Sequence, residues 1–183
     1  QFLETEYPRM LLIFNTPGIE DAPDPQSVRA LEVLSSLFES SARLKSFEND
    51  DRSTIFANVL RLSRVNNQFT LAFYFNGDPQ QAEADLWALL DDLKRVPFTP
   101  EELEPAIIQE STTRQALYDN PQTQASGIGY LVGSSQPWQL IDLEVAQLRS
   151  VTTQDVQRAV NACFTRERAT VAHVFPIEKK TSA

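Results

Sequence analysis

Between residues 78 and 121 a capping side chain stands directly before a proline three times: Asp78-Pro79, Thr99-Pro100 and Asn120-Pro121. Proline at the first helical position gives up an N–H that has no partner there, and the preceding Asp, Thr or Asn accepts from the free N–H groups of the first turn. Each pair therefore fixes a helix start. Thr99 has Glu102 three residues on, which completes a capping box, and Thr152 with Asp155 is a weaker version of the same device. After Pro79 a stripe of Ala82, Leu86, Leu89, Leu90 and Leu93 recurs at helical spacing. Leu103 and Ile107 carry the next helix towards Tyr118, and further helices are expected over Pro121–Val132, after Pro137 and over Thr153–Phe164. Strands are thereby confined to residues before Asp78 and after Phe164.

The first strand is Arg9–Asn15, an apolar run closed by Thr16-Pro17-Gly18 and expected to be buried on both faces. A Pro-rich connector, Glu20 to Pro25, leads into an amphipathic helix from Pro25 to Leu44 with Val28, Leu31, Leu34, Leu37 and Phe38 on one side. A charged loop, Glu48 to Ser53, precedes two strands, Thr54–Leu62 and Gln68–Asn76, joined through Asn66-Asn67 and paired as an antiparallel hairpin. In the second of these Phe69, Leu71, Phe73 and Phe75 share one face while Thr70, Ala72, Tyr74 and Asn76 share the other. The last strand is Ala169–Phe175, and residues 177–183 form a frayed tail. Residues 1–183 read as one α+β domain, a largely antiparallel mixed sheet with helices packed on one face.

The formal charge of −9 argues against a protein that neutralises phosphates, so no nucleic-acid partner is expected. No apolar run approaches the about 18–20 residues needed to span a bilayer, and Gln1 to Glu6 lack the basic start and apolar core of a signal peptide. The chain begins with Gln, as a fragment or a processed product would. A soluble protein of the cytoplasm or periplasm is expected.

Candidate chemistry is sparse. His173, the one histidine, sits in the strand Val171–Phe175, where it cannot assemble a zinc centre or serve a Ser or Cys nucleophile without partners. The single cysteine, Cys163, lies on the apolar stripe of the last helix with Val156, Ala159, Val160 and Phe164 and reads as a small buried hydrophobe. The acidic groups Glu48/Asp50/Asp51, Asp91/Asp92 and Glu101/Glu102/Glu104 read as solvated faces or helix first turns rather than paired acid and base. Gly127-Ile128-Gly129-Tyr130-Leu131-Val132-Gly133 does not match the dinucleotide fingerprint and follows no strand, so its small residues are expected to let helices approach, with Gly133 ending the helix. No catalytic, metal, cofactor or substrate-binding residue is assigned.

Taken in order, several segments resemble the M16 metallopeptidases of the pitrilysin and mitochondrial processing peptidase type, specifically their second, non-catalytic domain. They are Leu11-Leu12-Ile13-Phe14-Asn15-Thr16-Pro17-Gly18; Ala30 to Phe38 running on to Ser41-Ala42-Arg43-Leu44; Phe98-Thr99-Pro100-Glu101-Glu102-Leu103; and Val151 to Gln157, then Ala169-Thr170-Val171 and Pro176. The resemblance spans about Pro8 to Pro176. It implies the LuxS/MPP-like metallohydrolase fold and a clamshell protease whose zinc is held by an inverted His-x-x-Glu-His motif in a partner domain or subunit. This chain lacks that motif, so the resemblance implies a catalytically silent half with no cofactor of its own and an unfolded peptide as the substrate of the whole. Active members place a substrate-holding Arg and Tyr where this chain has Asn49 and Phe56, and the glycine-rich loop of some non-catalytic partners is replaced by Glu39-Ser40-Ser41. Arg43 matches the pattern and suits a structural or interdomain ion pair. One rival is a structural or assembly module that has kept the fold and lost its part in proteolysis. Another is an unrelated ligand-binding domain, which would have a closed apolar pocket and a sheet covered on both sides.

Overall fold

Phe14 marks where the layers meet. Its ring lies tilted 4.8 Å from Phe164 and meets Trp87 edge-on at 6.0 Å, while Phe164 lies 5.0 Å from Phe69, so strands and helices share one aromatic centre. The computed structural model describes residues 8–22, 24–47, 53–61 and 65–176. The expectations for Gln1 to Glu6, for the acidic Glu48/Asp50/Asp51 group with Asn49, for Leu62 and for the tail 177–183 lie outside these residues.

The elements run β1 (Arg9–Pro17), α1 (Pro25–Ser40), α2 (Ala42–Lys45), β2 (Thr54–Arg61), β3 (Asn66–Tyr74), α3 (Pro79–Arg95), α4 (Pro100–Asp119), α5 (Pro121–Gly133), α6 (Leu140–Arg149), α7 (Thr153–Cys163), a 3₁₀ turn (Arg166–Arg168) and β4 (Ala169–Val174). All three cap-proline pairs start helices as the sequence requires. Asp78 and Asn120 accept from first-turn N–H groups, and the capping boxes at Thr99 and Thr152 both close.

The sheet order is β2-β3-β1-β4, and every pair is antiparallel, so the expected mixed character is absent among the described residues. Met10, Leu12 and Phe14 of β1 face the same side as Phe69, Leu71 and Phe73 of β3, and all are buried. Against them lie Leu31, Leu34 and Leu37 of α1, Leu86, Leu90 and Leu93 of α3, and Val156 and Val160 of α7. β1 is buried on one face rather than both: Leu11 and Ile13 are only half-buried, because among the described residues helices cover one side of the sheet and leave the other open. The ligand-binding rival, which needs both sides covered, loses its support.

Other departures are local. The helix expected to run to Leu44 breaks at Ser41, which takes an extended conformation and starts the short α2. Asn66 and Asn67 belong to β3, not to the connection before it. Gly133 is the last residue of α5, but the left-handed position that follows is taken by Ser135, at φ 59°. Of the glycines in that helix only Gly127 is at a close approach, where a Cβ would come within 3.3 Å of Ile141 Cδ1; Gly129 and Gly133 face open space.

Beneath the end of β2 the helical layer is tied together by ions rather than apolar contacts. Arg29 of α1, 1% exposed, donates to Glu32 Oε2 at 3.0 Å, to Glu144 Oε1 of α6 at 3.1 Å and to Gln147 Oε1 at 3.0 Å. Arg61, the last residue of β2, donates to Glu32 Oε1 at 2.7 Å and to Glu144 Oε1 at 2.6 Å. Arg114 of α4 donates to Glu144 Oε2 at 2.7 Å and to Glu110 Oε1 at 2.9 Å, and the Tyr118 hydroxyl also donates to Glu144. Three guanidinium and three carboxylate groups thus balance to zero.

Burial would raise the Glu144 pKa, but Arg61, Arg29 and Arg114 outweigh it and hold the carboxyl down at about 2. Glu32 is lowered too, its burial being outweighed by Arg61, Arg29 and Arg114. A folded pKa depressed from 4.5 to about 2 means that the stabilisation from Glu144 is complete above pH 4.5 and is lost as pH falls towards 2. Its size is about 3 kcal/mol. We expect Glu144→Gln to unfold at lower urea concentration at pH 7 and to lose much of the decline in stability that the native chain shows between pH 4.5 and 2. Urea titrations at stepped pH check this; an unchanged acid profile in the variant would refute it.

Candidate functional site: an unguarded sheet edge

Hydrogen-bond parity across the sheet determines what β2 offers at its outer edge. Phe75 N–H donates to Pro8 O and Gly18 N–H to Val65 O, so the odd-numbered residues of β3 bond towards β1. The even-numbered ones then bond towards β2, where their partners are Thr54, Phe56, Asn58 and Leu60. Ala57, Val59 and Arg61 consequently direct their N–H and C=O groups away from the sheet. The Tyr130 hydroxyl of α5 donates to the Arg61 carbonyl at 2.6 Å from that outer side, as this parity requires.

An edge strand is a template for another strand, and proteins usually blunt it with charge, proline or a bulge. Thr54-Ile55-Phe56-Ala57-Asn58-Val59-Leu60 carries no charge, no proline and no glycine. On the open face of the sheet Phe56 is 53% and Leu60 45% exposed. The Phe56 ring is held edge-on against Tyr74 at 5.9 Å, and Arg9 donates to the Tyr74 hydroxyl at 3.3 Å.

Beside this edge runs a groove of about 550 Å³, walled by Asn58 to Arg61 on one side and by Leu117, Tyr118, Thr123, Gly127 and Tyr130 of α4 and α5 on the other. Its floor carries Glu32, Glu110, Arg61 and Arg114, all members of the ion network. Glu32 and Glu144 are held ionised by paired guanidinium groups, so neither is poised to give or take a proton near neutral pH. The arrangement suits holding an extended chain by main-chain hydrogen bonds rather than reacting with it.

Most of the residues singled out from the sequence lie elsewhere. His173 is a β4 residue whose Nε2 lies 2.9 Å from Glu83 Oε2 of α3. Cys163 is buried, and burial raises its thiol pKa, which keeps it protonated. Asp91 pairs with Lys94 and Asp92 with Arg95 on the exposed side of α3, both at 3.0 Å. Glu101, Glu102 and Glu104 sit in the first turns of α4. Arg43 is engaged within the chain: it donates to the Val96 carbonyl at 2.8 Å and lies over the Phe98 ring. Among the described residues no three His, Cys, Asp or Glu side chains are grouped to hold a metal. Phe56, on the candidate edge, and Gly127 and Tyr130, in the groove wall, are the exceptions. The ion network went unseen because Arg29, Arg61, Arg114 and Glu144 are far apart in sequence. The local signals are Arg29 with Glu32 one turn apart in α1 and Glu110 with Arg114 one turn apart in α4.

No family model and no curated protein matches the sequence. Among solved structures, the chain is similar to the inactive peptidase domain of a protein designated a zinc protease from Bordetella parapertussis, with 22% identity, a TM-score of 0.84, and coverage of 100% of this chain and 98% of that one. It is also similar to the peptidase M16 inactive domain from Pseudomonas fluorescens, with 14% identity, a TM-score of 0.62, and coverage of 99% of this chain and 44% of that one. The periplasmic protease PqqL from Escherichia coli is a third, with 17% identity, a TM-score of 0.71, and coverage of 95% of this chain and 21% of that one. At such identities the likeness is one of fold. The chain has the fold of the inactive peptidase domains of M16-like zinc proteases.

Proposed function

We propose that this chain is the catalytically silent half of a zinc metalloendopeptidase, closing over an unfolded peptide while a His-x-x-Glu-His domain or subunit supplies the zinc and the general base. The observation that carries the reading is the β2 edge: outward main-chain groups at Ala57 and Val59 beside an open groove, in a fold shared with inactive peptidase domains. Strand addition there gives affinity through main-chain hydrogen bonds and needs no reactive side chain. A cytoplasmic or periplasmic location goes with this reading, and one of the similar structures is a periplasmic protease. No helix among the described residues is long and apolar enough to cross a membrane.

The rival, a structural or assembly module without a part in proteolysis, draws its support from the groove floor, where Arg61 and Arg114 are already committed to carboxylates. Reconstitution separates the two. Alone, the chain is expected to take up no stoichiometric zinc and to cleave no peptide. Mixed with its His-x-x-Glu-His neighbour it should raise peptide cleavage, and Ala57→Pro, which removes an outward N–H that β3 does not use, should lower that gain about tenfold while the fold holds by circular dichroism. No gain on mixing would favour the assembly module, and tight zinc uptake with hydrolysis by the chain alone would refute both.

A further inference from the structure

The open-face side chains of β2 also carry information about what the edge selects. In an antiparallel or parallel ladder, residues directly opposite each other put their side chains on the same face. A strand laid along β2 therefore sets one side chain beside Phe56, the next on that face beside Asn58, and the third beside Leu60. Phe56 and Leu60 are exposed and apolar, Asn58 is exposed and polar, and Phe56 is fixed in place by Tyr74.

Register is set from the other end. The Tyr130 hydroxyl occupies the Arg61 carbonyl, so the outward ladder stops at Val59. Sliding an added strand by two residues towards Arg61 would require that acceptor, and sliding it by one would turn every side chain to the wrong face.

Resting on the reading of β2 as the peptide-holding edge, we propose that this edge selects extended peptides with bulky apolar residues at i and i+4 and a polar residue between them, and that Tyr130 fixes their register. The occupant is a single peptide and not a second copy of the chain, because a second sheet would bring its own helical layer against α5, which flanks the groove. The edge itself is uncharged within a chain of formal charge −9, so basic residues at the peptide ends are favoured over acidic ones.

The test uses two fluorescein-labelled peptides of one composition, Lys-Thr-Phe-Ser-Thr-Ser-Leu-Thr-Lys and Lys-Thr-Phe-Leu-Ser-Thr-Ser-Thr-Lys, titrated with the full chain by fluorescence anisotropy. The first should bind about tenfold tighter than the second, as two apolar cross-strand pairs allow. Phe56→Ser and Leu60→Ser should each cut that preference about threefold. Tyr130→Phe, which keeps the ring and frees the Arg61 carbonyl, should narrow it by admitting the slipped register. Ala57→Pro should weaken both peptides alike.

Equal binding of the two peptides, or a preference untouched by the Phe56, Leu60 and Tyr130 variants, overturns the selectivity and leaves strand addition standing if Ala57→Pro still abolishes binding. A folded Ala57→Pro chain that binds both peptides as the native chain does, or a native chain that binds neither, overturns strand addition and the selectivity with it. A dimer in sedimentation that Ala57→Pro dissolves would assign the edge to a second copy.

Discussion

Glu144 is the joint on which the helical layer turns. It receives guanidinium donors from α1, from the end of β2 and from α4, together with a phenolic donor from α4, while it is itself only 1% exposed on α6. A carboxylate in that position is tolerable only because all its partners are present, since desolvation costs several kcal/mol per ion and the Coulomb gain offsets it only in well-made geometry. Measured against well-packed apolar side chains of similar volume, the complete set adds little to stability. Its contribution to arrangement is large, because removing one member leaves buried charge without compensation, and alternative packings of these elements would do the same.

This explains which parts of the fold were legible in the sequence. Helix starts were readable because their chemistry is local: Asp78, Thr99, Asn120 and Thr152 need only the next three residues to act as caps. The β2–β3 hairpin was readable from alternation alone. By contrast, an apolar run such as Met10 to Phe14 reads the same whether a strand is covered on one face or two. Leu11 and Ile13 lie on the open face, and nothing within the run distinguishes them from Leu12. The break at Ser41 was equally hidden, since Ala42 to Lys45 continue in helical conformation and only one residue departs from it.

The candidate site divides along the same line. Its edge was written in consecutive residues, Thr54 to Leu60, and their lack of charge and proline could have marked an unguarded strand once β2 was known to be an outer one. That last fact belongs to topology. Only the sheet order shows that β3 and β1 are inner strands, so the more conspicuous alternation of Phe69 to Phe75 belongs to a strand with no free edge. The groove wall contributed by α5 was harder still. That helix buries only Leu131, and its glycines suggested packing that only Gly127 performs.

Arg61 couples the two features. Its side chain enters the ion network through Glu32 and Glu144, and its carbonyl receives the Tyr130 hydroxyl at the outer edge. The last residue of β2 is therefore held from beneath by α1 and α6 and from the side by α5. A free edge strand would fray at its end, where one side of the ladder is missing; here the end is bonded to three helices. The outward groups of Ala57 and Val59 inherit a fixed position from it, one and two pleats away. The buried ion pairs thus serve the site by holding its template in place, which lowers the ordering cost that any chain laid along the edge would otherwise have to meet.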